Sequence, residues 1–314
     1  MASSADMTVA GARADVALAR PRATTAALTA LALVAFAANS ILTRLALGRH
    51  LIDAASFTEV RLGAGAAVLG GLTLLRSKGW APLRGRGWRG PLALFAYAAP
   101  FSLAYGRIGA AVGALILFGS VQLTMIGWGL AHGERPTPRT WMGLGLGATG
   151  LGWLMLPAAS RPDALGSALM VLSGIAWGAY SLLGRRTAAD RLAANAHSFL
   201  GAALVALALF AGTAATHGAH ATPHGLALAL ISGAVTSGLG YAIWYQALPG
   251  LTAAEAAIAQ LAVPVIAALA AVAFLNEQAT PRLIGAGAIV LGGVALALTG
   301  RAAPRTIEIG ARPR

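Results

Sequence analysis

The chain has 314 residues, of which 57% are hydrophobic and 11% charged, and its mean hydropathy is +0.72. A soluble domain carries roughly 25% charged residues, so there are too few polar groups here to cover a water-facing surface, and the chain must dissolve in lipid. No cysteine is present, which excludes disulfides and thiol chemistry, while the net charge of +13 lies in short patches between apolar runs, which excludes nucleic acid as a partner and points to basic loops beside a bilayer.

Residues 1–23 read as a polar, Ala-rich cytoplasmic tail. The apolar stretch that follows is too long for a signal-peptide core and reads as a retained span. A span takes about 20 mostly apolar residues. On that basis the expected spans are Thr25–Leu47, Ala55–Leu75, Gly90–Tyr105, Gly109–Leu130, Thr140–Leu156, Ala164–Arg185, Ala193–Thr216, Gly225–Leu248, Thr252–Leu275 and Arg282–Thr299. Tight connections at Tyr105–Gly109 and Tyr245–Gly250 join the third span to the fourth and the eighth to the ninth. Residues 300–314 form a basic C-terminal tail.

Glu134-Arg135-Pro136-Thr137-Pro138-Arg139 recurs as Glu277-Gln278-Ala279-Thr280-Pro281-Arg282, 143 residues later. A weaker match relates Asn39–Arg44 to Tyr180–Arg185 with a shift of 141. The spacing predicts a duplicated chain, with repeats at 24–156 and 164–299. With both termini cytoplasmic, 17 Lys and Arg fall on the cytoplasmic side and 4 on the other, the bias that membrane insertion imposes. Five spans then separate the repeats, so the second is inverted. The fold class is an all-α polytopic membrane protein, with ten transmembrane helices as two inverted five-helix repeats. Gly143-x-Gly145-x-Gly147 and Gly109-x-x-x-Gly113 are small-residue patterns that let helices approach closely.

The doubled Glu…Thr-Pro-Arg stands beside Gln260-Leu261-Ala262-Val263-Pro264-Val265, Tyr241-Ala242-Ile243-Trp244-Tyr245, Gly174-Ile175-Ala176-Trp177-Gly178 and Ala38-Asn39-Ser40. In order and spacing, over residues 25–299, the chain resembles the drug/metabolite transporter superfamily in its EamA-type branch. The resemblance implies helices around a central cavity, alternating access and, often, export of amino acids or other metabolites. One position departs from the pattern: Val121 stands where Pro264 has its counterpart, so the first-half helix is expected to lack a kink.

Ionisable groups inside spans are costly and usually functional. Glu59 and Glu255 are the proton-coupling candidates. For Glu255 the pattern Thr252-Ala253-Ala254-Glu255 favours a helix-capping role instead. Arg61 is expected to snorkel to the headgroups. Glu134 and Glu277 are expected to cap the helices that follow them, in preference to gate ion pairs with Arg139 or Arg282. Asn39, Gln122 and Gln260 carry amides that need partners in lipid. Together with Tyr97, Trp177, Tyr180, Tyr241 and Trp244 they are the cavity candidates for a small amphipathic solute. His217, His220 and His224 lie in a loop expected to be too loose for a metal site.

No catalytic motif, metal or cofactor is expected. The expected function is secondary transport of a small organic metabolite, such as an amino acid, amine or drug-like solute, around a midplane cavity. Export follows from the resemblance, and proton coupling, if present, would run through Glu59 or Glu255. A membrane enzyme or assembly factor using a lipid-facing cleft, or a channel, is the alternative. The partners are the solute and the bilayer of an inner membrane, with the protein a monomer or homodimer.

Overall fold

The computed structural model describes residues 21–77, 87–108, 110–156, 163–187, 190–275 and 277–299. Residues 1–20 of the N-terminal tail, the whole C-terminal tail, and Lys78, Arg84, Arg86 and Arg161 of the charge count lie outside them. The described residues are helical throughout: α1 (Arg22–Gly48), α2 (Ala54–Ser77), α3 (Arg89–Tyr105), α4 (Ala110–Ala131), α5 (Pro138–Met155), α6 (Ala164–Arg186), α7 (Arg191–His217), α8 (Pro223–Ile231), α9 (Gly240–Ala247), α10 (Ala253–Ala259), α11 (Ala262–Leu275) and α12 (Pro281–Thr299). A π-helical segment, Ser232–Leu239, joins α8 to α9 without a break. Eight helices are long and apolar enough to cross a membrane, counting Pro223–Gly250 and Ala253–Leu275 as one each. The short α3 and the Gly-rich α5, 17 and 18 residues long, stand at the expected third and fifth spans but outside that set.

The helix ends follow local chemistry. Thr137 and Thr280 accept hydrogen bonds from the backbone of Thr140 and Leu283, and a proline occupies the first turn after each. That combination starts a helix: the threonine satisfies an orphan N–H, and proline has none to lose. Pro264 has the opposite effect. Without an N–H it cannot bond the carbonyl four residues back, and the chain instead makes three-residue turns, Leu261 N to Ile258 O and Val263 N to Gln260 O. The α10–α11 span therefore breaks at Gln260–Leu261, whereas α4, with Val121, runs uninterrupted.

Packing interlocks the two halves of the chain. α2 lies against α7, α3 and α4 against α6, α1 against α9 and α11, and α5 against α12. In the α5–α12 pair Gly143 meets the Gly293 carbonyl and Ala297, leaving no room for a Cβ. Close backbone approach of this kind replaces the hydrophobic drive that lipid does not supply. Leu75, Leu123 and Phe274 are about four-fifths exposed and turn outward, as residues bathed in hydrocarbon do.

Candidate functional site: a cavity between the two halves

A cavity of about 520 Å³ enters the bundle beside Arg44 and Glu277 and passes Tyr105, Met155, Met170 and Pro264. Ser40, Phe101, Leu117, Phe118 and Val263 also line a smaller cavity deeper in the fold, whose walls are completed by Phe36, Asn39, Tyr97, Trp177, Tyr241 and Gln260. Both halves of the chain contribute to each. The floor is an aromatic cluster: the Phe36 ring meets Trp177, Tyr241 and Trp244 edge to face at 5.3–5.6 Å, and Tyr97 lies 4.8 Å from Trp177. Edge-to-face packing suits the ring quadrupoles.

The eight cavity candidates separate into two groups. Asn39, Tyr97, Trp177, Tyr241 and Gln260 meet at the floor. Tyr180, Trp244 and Gln122 face other helices: Tyr180 donates to Asn195 Oδ1 at 2.9 Å, Trp244 Nε1 to Ser181 Oγ at 3.1 Å, and Gln122 Nε2 to the Ala257 carbonyl at 2.8 Å. Gln260 accepts from Trp177 Nε1 and donates to the Ala256 carbonyl, which ties the broken span to α6. Asn39 Oδ1 accepts from Ser232 and Thr236 of the π-helical segment at 2.7 and 3.3 Å.

Arg61 overturns the expectation of snorkelling. It is 1% exposed and points into the bundle. Nε donates to Ser237 Oγ at 2.8 Å, and Nη2 to the hydroxyls of Tyr241 and Tyr97 at 2.5 and 3.3 Å. Three features let it lie there. The Gly233 Cα fits against the Arg61 backbone, where a Cβ would collide with it. The π-helical turn brings Ser237 round to the guanidinium. The two tyrosines hold it from the cavity side. π-helical turns often occur at functional sites.

Two ion pairs stand at opposite ends of the bundle. At one end Arg44 meets Glu277 at 2.6 Å, both about half exposed. At the other, Arg185 Nη1 pairs with Glu134 Oε1, while Arg185 Nε donates to the Leu251 carbonyl and Ala253 N donates to Glu134 Oε2. This corrects the sequence reading of both glutamates. Thr137 and Thr280 cap the following helices, and the carboxylates reach across to the other half of the chain, with neither Arg139 nor Arg282 as partner. Each arginine closes the weak repeat, Asn39–Arg44 or Tyr180–Arg185, the signal that could have found it. Neither cavity is lined by a residue of the Glu134–Arg185 end.

Glu255 forms a reciprocal capping box with Thr252, and Glu59, whose Oε2 is buried without a hydrogen-bond partner, lines neither cavity. The histidine loop is better held than the sequence suggested. The Asp53 N–H donates to the His220 carbonyl, the His220 N–H donates to the Asp53 carboxylate, and Thr222 donates to the Leu51 carbonyl, around an antiparallel bridge from Ile52 to Ala221. Among the described residues no cluster of metal-binding side chains forms.

This arrangement, apolar helices around an aromatic-floored cavity, is that of a multi-pass membrane protein. Residues 164–299 match the EamA-like transporter family, and the chain belongs to the drug/metabolite transporter superfamily. It is 51% identical over 284 residues to an uncharacterised protein of Pseudomonas aeruginosa, covering 90% of this chain and 96% of that one. It is 33% identical over 188 residues to the threonine/homoserine exporter RhtA of Escherichia coli, covering 57% of this chain and 61% of RhtA. With the uncharacterised transporter YwfM of Bacillus subtilis it shares 26% over 253 residues, 76% of this chain and 83% of YwfM. A crystal structure superposes with a TM-score of 0.74 at 20% identity, covering 88% of this chain and 98% of the other, a likeness of fold.

Proposed function

We propose that the protein is a secondary transporter that exports a small organic metabolite by alternating access. The observation that carries this reading is a cavity walled by both halves of the chain, with its mouth at Arg44–Glu277 and its floor at Trp177 and Tyr241. The membrane-spanning count rises to ten when α3 and α5 are included as partners of the longer helices. Two inverted five-helix repeats then account for the doubled motif standing at opposite ends of the bundle. The charge distribution supports a cytoplasmic Glu134 end and cytoplasmic termini in an inner membrane, an orientation in which the cavity faces outward. RhtA, named as an amino-acid exporter, supports export of a metabolite of that size.

Glu59 is the coupling carboxylate in this reading, because it stands inside the second span with Oε2 enclosed and without a hydrogen-bond partner, and an ionisable group there is usually functional. Flux of labelled solutes into proteoliposomes, with and without a pH gradient, tests the proposal. Saturable flux that responds to the gradient, and loses that response in Glu59→Gln, is expected. Gradient-driven transport by Glu59→Gln equal to that of the unmodified protein removes Glu59 from coupling. Conductance without saturation replaces the transporter with a channel.

A further inference from the structure

Arg61 raises a problem of charge that the fold leaves unanswered. A cation inside a bilayer-embedded bundle normally has a carboxylate beside it. Among the described residues the ion pairs engage Arg44, Arg107 and Arg185, and none engages Arg61. Its guanidinium has five N–H donors and no acceptor. Nε and Nη2 are used by Ser237, Tyr241 and Tyr97, all uncharged. Nη1 is buried and has no hydrogen-bond partner. The fold thus holds a positive charge behind the tyrosines of the cavity floor, 5.5 Å from the Tyr97 ring centre, balanced by no carboxylate and with part of its donor fork unspent.

The two tyrosines connect that charge to the cavity. Both line the floor, and both accept from Arg61. Tyr241 also donates its hydroxyl hydrogen to the Tyr97 oxygen at 3.2 Å. The Tyr97 oxygen therefore receives two donors, and its own proton is directed to neither. A phenol polarised in this way is a ready donor to an anion. The wall around it is apolar and aromatic, with Phe36, Trp177, Phe101 and Val263. This is the composition of a site that fixes one polar group and accommodates an apolar body.

We infer that Arg61, Tyr97 and Tyr241 form a carboxylate-binding site, and that the transported solute is a small organic monocarboxylate, with or without an amino group. The carboxylate stays ionised, accepts a hydrogen bond from the Tyr97 hydroxyl and pairs with Nη1 as the tyrosine hydroxyls part, completing the fork geometry that guanidinium and carboxylate share. The charge argues against the other solute classes. A simple amine would bring a second cation to an uncompensated one. A phosphate monoester carries close to two negative charges, against one guanidinium. The inference rests on the transporter reading for its solute, but the site itself is a binding claim.

The experiment compares matched pairs in which a neutral amide replaces the carboxylate on the same body: L-threonine with L-threoninamide, and benzoate with benzamide. Binding is measured by calorimetry on the purified full-length protein in detergent. The acids are expected to bind at least about tenfold more tightly than their amides, the ratio one charge-assisted hydrogen bond can carry. Arg61→Gln should bring that ratio close to one, Arg61→Lys should keep part of it, and Tyr97→Phe should weaken the acids while leaving the amides unchanged. If Arg61→Gln does not fold, the wild-type ratio and Tyr97→Phe still decide. Equal binding of acid and amide, no binding of either acid, or an acid preference that survives in Arg61→Gln overturns the site. Acid binding without flux of either acid in proteoliposomes leaves the site standing and refutes the transporter. Flux of amides matching that of acids does the reverse.

Discussion

The two ends of the bundle carry the same short motif and are built differently. At the Glu134 end, Gly133 adopts a left-handed conformation, with φ at 83°, and turns the chain back so that Glu134 N bonds the Gly129 carbonyl. Gly129, lacking a Cβ, leaves the space in which the Glu134 carboxylate lies. From there the carboxylate takes Arg185 on one oxygen and the first N–H of α10 on the other, where the helix dipole also favours negative charge. Arg186 adds to this by lying over Trp128 at 4.7 Å. At the Glu277 end the counterpart of Gly129 is Val272, and Glu277 meets Arg44 in the open, beside the cavity mouth. An exposed pair contributes little, whereas taking one partner from a pair largely withdrawn from water leaves the other charge uncompensated and is costly. A repeated motif thus specifies where a latch can form, and its glycine seats decide which latch is shut.

The largest effect should come from reversing charge at the shut end. Glu134→Lys puts a second cation against Arg185 and strips the α10 N-terminus of its acceptor. We expect a loss of about 3–5 kcal/mol, as for a broken buried pair. Because the protein has no native cysteine, a single cysteine at Ala254 should become reactive to an impermeant maleimide from the Glu134 side. Unchanged labelling would mean that this end is held by something else. Gly129→Ala attacks the same end through its seat. The new methyl would stand 2.9 Å from Glu134 Oε2 and 3.2 Å from the Ala253 Cβ, an overpacking cost of about 1–3 kcal/mol, to be read as a lowered thermal midpoint.

The open end has its own fastening, the bridge at Ile52 and Ala221. Asp53 there accepts from the backbone of Ala55, Ser56 and His220 and from the Ser56 hydroxyl. Partial burial pushes its carboxyl up, but these hydrogen bonds together outweigh that and hold it below its ordinary value of 3.8. A depressed carboxyl stabilises the fold above that ordinary value, and the contribution is lost as pH falls through the lower folded value. Asp53→Asn keeps one acceptor oxygen for the helix cap but sets an NH2 group against the Ser56 hydroxyl and the His220 N–H, and should therefore cost about 1 kcal/mol near neutrality. The gap from the unmodified protein should close below about pH 4, and a gap independent of pH would contradict the assignment. Smallest of all should be Glu277→Ala, at most about 1 kcal/mol and weaker in high salt. An effect there equal to that of Glu134→Lys would erase the distinction between the ends.

The helical architecture was legible because hydrophobic runs and turn chemistry are local. Each expected span lies within a few residues of a helix in the structure, and Pro264 against Val121 anticipated a broken span opposite an unbroken one. The floor was legible in part. Asn39, Tyr97, Trp177, Tyr241 and Gln260 meet there, but nothing in a residue type says that Tyr180 and Trp244 turn away toward Asn195 and Ser181. Arg61 was misread because its position near a span end suggests the headgroups. Its burial depends on Ser237 and Tyr241, far along the chain, and on a π-helical turn that shifts the helical phase. The pattern Ser232-Gly233-x-x-Thr236-Ser237-Gly238, polar and small within an apolar span, was the local trace of that turn. Glu134 and Glu277 were misread for the same reason: their partners are distant, and the adjacent threonines already satisfy the near ones.

The interlocking of the halves also has a bearing on how the protein is made. Synthesis runs from the N-terminus at roughly 5–20 residues per second, so α1–α5 enter the bilayer well before α6–α12 exist. During that interval, on the order of ten seconds, Arg61 has only Tyr97 from its own half, because Ser237 and Tyr241 have yet to be translated. The nascent chain must therefore keep a guanidinium hydrated, or shielded by the insertion machinery, until the π-helical segment arrives. Withdrawal of that charge from water is thus a step that only the second half of the chain can complete.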